Sequence, residues 1–329
     1  MTYRALSFVL LSWFLVSGPV HAGGDYAGRA DVSEYIEKTA QAEGFAAEDL
    51  RALLGAVTYR EDIIERISRP AEKVWTWARY KRHLVDEQRV SEGAVFWQAH
   101  AETIARAASE FSVAPEIIVA ILGIETRYGR ITGDYPVLES LMTLGFDYPP
   151  RMKFFRKELT EFLMLAREEG KDPTTVTGSY AGAMGYGQFI SSSYRHYAVD
   201  FDDDGIRDIW NNPVDAIGSI ANYFHRHHWR GDHPRAIKVN FAGEMEAEHF
   251  DTGLDQTGTI GEYLARGMAD PGLPRDLAAK VYRVDADEGV QYWLALHDFY
   301  VITRYNRSHL YALAVHHLAD LIKATYEAS

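Results

Sequence analysis

The chain has 329 residues, 47 of them acidic and 34 basic, for a formal net charge of −13. That balance excludes the basic footprint of a nucleic-acid binder, while the length suffices for two or three compact units with real cores. There is no cysteine, which excludes a disulfide framework, a thiolate nucleophile and a lipid-modified cysteine.

Residues 1–22 read as a secretory signal. Arg4 gives a short positive start, Ala5 to Val16 an apolar core too short to span a bilayer comfortably, and Val20-His21-Ala22 a small-x-Ala cleavage pattern. An uncleaved membrane anchor is the alternative. Helical patterning follows over 31–67, through Val32, Tyr35, Ile36 and Ala40 and then Leu50, Leu53, Leu54 and Val57, until Arg69-Pro70 breaks it. After Trp75, Trp77 and Tyr80, a second helical stretch begins at Ser91, a plausible N-cap, and runs through Phe96, Trp97, Ile104 and Ala108. Helices are also expected at Pro115–Gly129, Leu138–Leu144, Arg151–Glu169, Asn212–Trp229 and His309–Tyr326. Between 231 and 290 the texture changes to Gly, Pro, Asp and short β-branched runs, such as Ala236–Phe241 and Lys280–Val284, which read as strands. The architecture is mainly α with a small β appendage. Twenty Tyr and seven Trp lean toward flat, sugar-facing surfaces, although packing also uses such rings.

Three segments carry candidate chemistry. In Pro115–Gly129, Glu125 lies eight, seven, four and three positions after Ile117, Ile118, Ile121 and Leu122, on one face of a helix. Desolvation and the negative end of the helix dipole both favour its protonated form, which suits a general acid. The alternative is that Glu125 pairs with Arg127 or turns to solvent. The second segment, Ser179–Phe189, has three glycines in six residues, without the ending of a phosphate loop or the spacing of a dinucleotide fingerprint. With Ser179, Tyr186 and Gln188 as lining it suits a neutral, hydroxyl-rich ligand, and an ordinary glycine-rich turn is the alternative. In the third, Asp200, Asp202, Asp204 and Asp208 stand at positions 1, 3, 5 and 9 of a calcium-type loop, Gly205 at position 6 and Ile206 at position 7, where a backbone carbonyl serves. Position 12 is Asn211, so Asp215 is the candidate closing ligand. Magnesium, sodium or a solvated acidic turn are the alternatives. His225, His227 and His228 lack zinc spacing and read as solvated histidines.

Together, Ile121–Arg130, Ser179–Phe189, Asp200–Asp208 with Asp215–Phe224, and Phe299–Asn306 resemble the lytic murein transglycosylase B family, over about Val32 to Leu318. The resemblance implies a lysozyme-like helical core (108–230, with the calcium loop, completed by 291–308), a helical domain (23–107, joined by 309–329) and a small β-rich domain (231–290). It implies non-hydrolytic cleavage of the β-1,4 bond between N-acetylmuramic acid and N-acetylglucosamine in peptidoglycan, giving a 1,6-anhydromuramoyl product. A lysozyme-type muramidase and a non-catalytic peptidoglycan-binding protein are the alternatives. Glu125 matches the family's catalytic acid/base. Tyr80, Arg151, Ser179, Gln188, Tyr223, Tyr305 and Asn306 match its substrate site, and Asp200, Asp202, Asp204 and Asp215 its structural calcium loop. Catalysis needs no cofactor. The implied setting is periplasmic, with glycan strands and cell-wall synthesis or remodelling proteins as partners, no membrane anchor after signal cleavage, and a monomer. Three departures stand out: the family's founding members carry a lipid-modified cysteine after the signal and this chain has none, so it resembles a soluble periplasmic variant; the calcium loop is one residue longer before Asp215; and Pro150 stands where the family often has a second arginine before Arg151.

Overall fold

The computed structural model describes residues 24–69, 75–243 and 253–329, so the segment read as a signal lies outside the described residues. The chain divides into two compact units, one up to Tyr59 and one from Arg60 onward. In the first, α1 (Ala30–Glu43) buries Val32 and Ile36, and α2 (Ala47–Gly55) buries Leu50 and Leu54. Gly44, at φ 69°, ends α1 by returning its N–H to the Ala40 carbonyl at 3.0 Å.

The second unit opens with α3 (Glu61–Ile67), α4 (Trp77–Leu84), α5 (Glu87–Ala99) and α6 (Ala101–Phe111). The helical domain expected over 23–107 is therefore divided at residue 59, with α3 to α6 packed into the larger unit. Ser91 is not an N-cap. Asp86 caps α5, accepting from the Arg89 N–H at 2.8 Å, and Ser91 sits inside the helix with its hydroxyl on the Gln88 carbonyl. The helix expected to run on from there breaks at His100, between α5 and α6.

Next comes α7 (Pro115–Thr126), opened by Pro115 and buried without interruption from Glu116 to Gly123. It is the central helix of the fold, packed on α5 and α6 and on two later helices, α11 (Pro213–Arg226) and α14 (His309–Glu327). Between these lie α8 (Val137–Asp147), α9 (Met152–Glu168) and α10 (Ser191–Tyr197), with β1 (Tyr135–Pro136) and β2 (Thr177–Gly178) pairing antiparallel. Among the described residues, no single helix is long and apolar enough to cross a membrane.

The β-rich part is a four-stranded antiparallel sheet ordered β3-β6-β5-β4, from β3 (Ala236–Val239), β4 (Gly258–Thr259), β5 (Ala278–Ala286) and β6 (Gly289–Ala295). Val281 faces Leu294 across β5–β6, and Ala236 faces Ala295 across β3–β6. Val239, Val281 and Leu294 pack with Ile260 and Tyr263 of α12 (Ile260–Ala265) into a local core. Because β6 is a central strand, the sheet reaches Ala295 rather than ending at 290. Of the stretch 291–308, α13 (His297–Tyr305) and the few residues after it lie beyond the sheet.

Candidate active site

Three successive residues in left-handed conformation, Arg127 (φ 49°), Tyr128 (φ 61°) and Gly129 (φ 86°), turn the chain sharply at the end of α7. The turn is fastened on both sides. Tyr128 donates its hydroxyl to the Arg89 carbonyl at 2.7 Å. Thr126 Oγ1 donates to the Tyr186 carbonyl at 2.9 Å and accepts the Gly129 N–H at 2.9 Å. A Cβ at Gly129 would lie 2.0 Å from the Tyr186 ring, so only glycine fits. The helix end that carries Glu125 is thereby welded to the glycine-rich segment.

The turn sends the Arg127 guanidinium to Asp86, at 2.9 Å, and within 4.0 Å of Glu92. Arg127 is thus committed to the start of α5, and Glu125 meets a phenol: Tyr311, fully buried on α14, donates its hydroxyl to Glu125 Oε1. Tyr311 and Tyr305 are both held well above the ordinary phenol range, first by burial and then by the facing Glu125 carboxylate. Tyr80, buried on α4, is a further group raising Tyr311.

Around this centre, Tyr305 at the end of α13 donates to the Gly187 carbonyl at 2.5 Å. Its ring stands 4.7 Å, edge-on, from that of Tyr223 on α11. Tyr223 donates to the Arg304 carbonyl at 2.6 Å and stacks on His227 at 4.1 Å. Gly187 is required here, because a Cβ would meet the Tyr305 hydroxyl at 2.9 Å. Gln188, at φ 50°, donates to the Thr132 and Gly185 carbonyls, each at 3.0 Å. Ser179 Oγ accepts the Ala183 N–H at 3.0 Å and ties the loop to itself. Asn306 follows Tyr305 in extended conformation, half-buried. Arg151 makes its contacts outside this group: it is exposed, with its guanidinium 4.2 Å from the Phe154 ring centre.

In the acidic loop, carboxylate oxygens of Asp200, Asp202 and Asp204 converge to within 4.8 Å of one another. Asp203 and Gly205 take positive φ to allow this, and the donor set is hard oxygen, so the three acids fit a calcium ion. The other expected ligands also make hydrogen bonds within the loop, that of Ile206 through its N–H and not through the carbonyl expected to serve. Asp208 caps its own turn, accepting the Trp210 N–H at 3.0 Å and the Asn211 N–H at 3.1 Å. Ile206 is exposed and donates its N–H to Asp204 Oδ1 at 2.8 Å. Asp215 is fully buried, with one oxygen on the Phe201 N–H at 2.7 Å and the other on the Asp208 N–H at 2.8 Å. It therefore clamps the loop from inside. Burial pushes its carboxyl up, against the opposing pull of those two N–H bonds. His225 and His227 turn ring nitrogens to backbone carbonyls, in keeping with a structural role.

Sequence reasoning missed Tyr311 as a partner of the acid. Only its place one residue after Leu310, on an apolar helix, hinted at burial.

Comparison with known proteins points the same way. A family model for the transglycosylase SLT domain matches residues 27–320. Membrane-bound lytic murein transglycosylase B of Escherichia coli (strain K12) is 38% identical over 311 residues, 91% of this chain and 84% of that protein. The X-ray structure of catenated lytic transglycosylase SltB1 from Pseudomonas aeruginosa matches with a TM-score of 0.88 at 48% identity, covering 92% of this chain and 100% of that one. The Escherichia coli lytic transglycosylase Slt35, solved in complex with calcium, matches with a TM-score of 0.83 at 38% identity, covering 93% of this chain and 96% of that one. With a family model spanning most of its length and a relative of this identity, the chain belongs to the SLT-domain lytic transglycosylases, mainly helical lysozyme-like enzymes that cleave peptidoglycan.

Proposed function

We propose that Glu125 is the single acid and base of the cleavage, acting on the β-1,4 bond between N-acetylmuramic acid and N-acetylglucosamine. Ordinary glycosidases place two carboxylates across the scissile bond. Here one carboxylate, Glu125, stands at the end of the buried apolar helix α7 and accepts the Tyr311 hydroxyl. That observation carries the reading, and a substrate that brings its own nucleophile needs only one. Glu125 gives its proton to the glycosidic oxygen as the C1–O bond breaks, and the 2-acetamido group steadies the charge at C1. The carboxylate then takes the proton of the C6 hydroxyl, whose oxygen closes on C1 of the same sugar to form the 1,6-anhydro ring. Attack within one ring gains from high effective concentration.

Tyr80, Tyr223 and Tyr305 supply ring faces beside Glu125, while Ser179, Gln188, Asn306 and Arg151 supply polar groups for the glycan. Asp200, Asp202 and Asp204 would hold a structural calcium ion, whose charge offsets the repulsion of these acids. The relatives' substrate places the work in the cell envelope, to which residues 1–22 would direct the chain. Mass spectrometry of fragments released from purified sacculi tests the reaction. The expected muramoyl product is lighter by one water than the hydrolytic one. Reducing muramic ends would establish a muramidase instead, and no release at all a binding protein.

A further inference from the structure

The bond from Tyr311 to Glu125 joins two residues 186 positions apart, from α14 to α7. Its donor is fully buried, while the accepting Glu125 is half-buried, open on one side for a ligand. We infer that Tyr311 is the positioning residue of the acid: its hydroxyl fixes Oε1 as the accepting oxygen, directs the transferable proton to Oε2, and grips the carboxylate once that proton has left.

The inference rests on the assignment of Glu125 as acid and base and adds to it a division of labour between the two carboxyl oxygens. In the neutral acid the carbonyl-type oxygen is the better acceptor, so a fixed O–H donor selects which oxygen that is. When the proton passes to the glycosidic oxygen, the same hydrogen bond becomes charge-assisted and strengthens. A contact stronger after proton transfer than before it lowers the barrier rather than merely tightening substrate binding. Tyr311 keeps its own proton throughout. Only the Glu125 proton moves, first to the leaving oxygen and then back from the C6 hydroxyl, and the proton count closes.

The groups facing this pair come from several helices. Tyr80 on α4 and Tyr305 on α13 act on Tyr311, and Tyr223 on α11 acts on Tyr305. All three are phenols and neutral over the working range. From α5 and the turn after α7, Arg89 and Arg127 both bond Asp86.

The test is Tyr311→Phe, which keeps the ring in the α14–α7 packing and removes only the donor. Rates of sacculus solubilisation are measured across pH, with near-UV circular dichroism and glycan binding as checks on folding. The expected result is a kcat lowered about tenfold or more with KM little changed, as befits a lost hydrogen bond to a charged group. Activity requires protonated Glu125 and falls as pH rises through its pKa. Losing a donor to the carboxylate raises that pKa, so the alkaline limb of the variant's profile moves to higher pH by about one unit. Retention of the wild-type limb and rate overturns the inference, as does a fall in rate with the limb unmoved, the signature of a purely structural ring contact. Should Tyr311→Phe fail to fold, the Tyr311 hydroxyl proton is followed by NMR across pH in the wild type: a resonance that shifts as Glu125 ionises is expected, and one that stays fixed overturns the inference. Glu125→Gln separates the two levels. If that variant is inert while Tyr311→Phe behaves as wild type, only the role of Tyr311 fails. If Glu125→Gln remains active, the acid assignment falls first.

Discussion

At the end of α7 a carboxylate on an apolar helix accepts a phenol hydroxyl, whereas in the segment from Asp200 to Asp215 acidic side chains accept backbone N–H groups. Glu125 Oε1 is held by Tyr311 from across the fold. Asp200 takes the Asp204 and Gly205 N–H groups, and Asp215 those of Phe201 and Asp208. The same functional group thus does opposite work. Backbone donors turn Asp215 into a rivet for a loop whose outer acids converge on a cation site. At Glu125 the donor is instead a side-chain phenol, brought by a helix remote in sequence. Neighbours, more than residue type, assign the role.

The comparison breaks first at Glu125. Glu125→Gln is expected to lower turnover roughly 1000-fold, toward the upper range for a lost general acid and base, with Tm nearly unchanged. Muropeptide release and thermal melts measure the two together, and residual turnover near wild type would remove Glu125 from the chemistry. Asp215→Ala inverts that pattern. It leaves two backbone N–H groups buried without acceptors and costs about 3 kcal/mol of stability in chemical denaturation. A small loss there would show that solvent reaches the loop interior. Gly129→Ala sharpens the first half of the comparison: positive φ and the Tyr186 ring oppose the added methyl, for a loss of about 2 kcal/mol. The smallest effect concerns the outer acids. Calcium at about 100 times its dissociation constant adds about 2.7 kcal/mol and raises Tm by several degrees. Asp202→Asn, on the exposed side, removes that rise while changing metal-free stability by only about 0.5 kcal/mol.

How much of this was legible in the sequence depended on whether the signal was local. The apolar stripe of α7 has helical period, so Glu125 stood out on it without any coordinates. The convergence of Asp200, Asp202 and Asp204 was equally legible, because alternate acids around a glycine leave the backbone few ways to fold. The clamp made by Asp215 was not legible because its partners, Phe201 N–H and Asp208 N–H, lie seven or more residues away and only the folded loop brings them to the carboxylate. Tyr311 was missed for a deeper reason. On an apolar helix an aromatic ring reads as core packing, which it also is, and its hydroxyl gains meaning only when α14 meets α7. Strand β6 went unread because Gly289-Val290-Gln291-Tyr292-Trp293-Leu294-Ala295 passes from exposed to buried along its length and never alternates cleanly. Ser91 looked like a helix start because Asp86, the actual cap, is followed three residues later by Arg89 rather than by Glu or Gln.

The span of chain between Glu125 and Tyr311 has a temporal consequence. A growing chain emerges with its acid long before the helix that bears the hydroxyl has been synthesised, and a nascent or clipped product lacking α14 carries one without the other. For an enzyme that cleaves peptidoglycan, the Tyr311 hydroxyl reaches the carboxylate only once α14 has packed on α7.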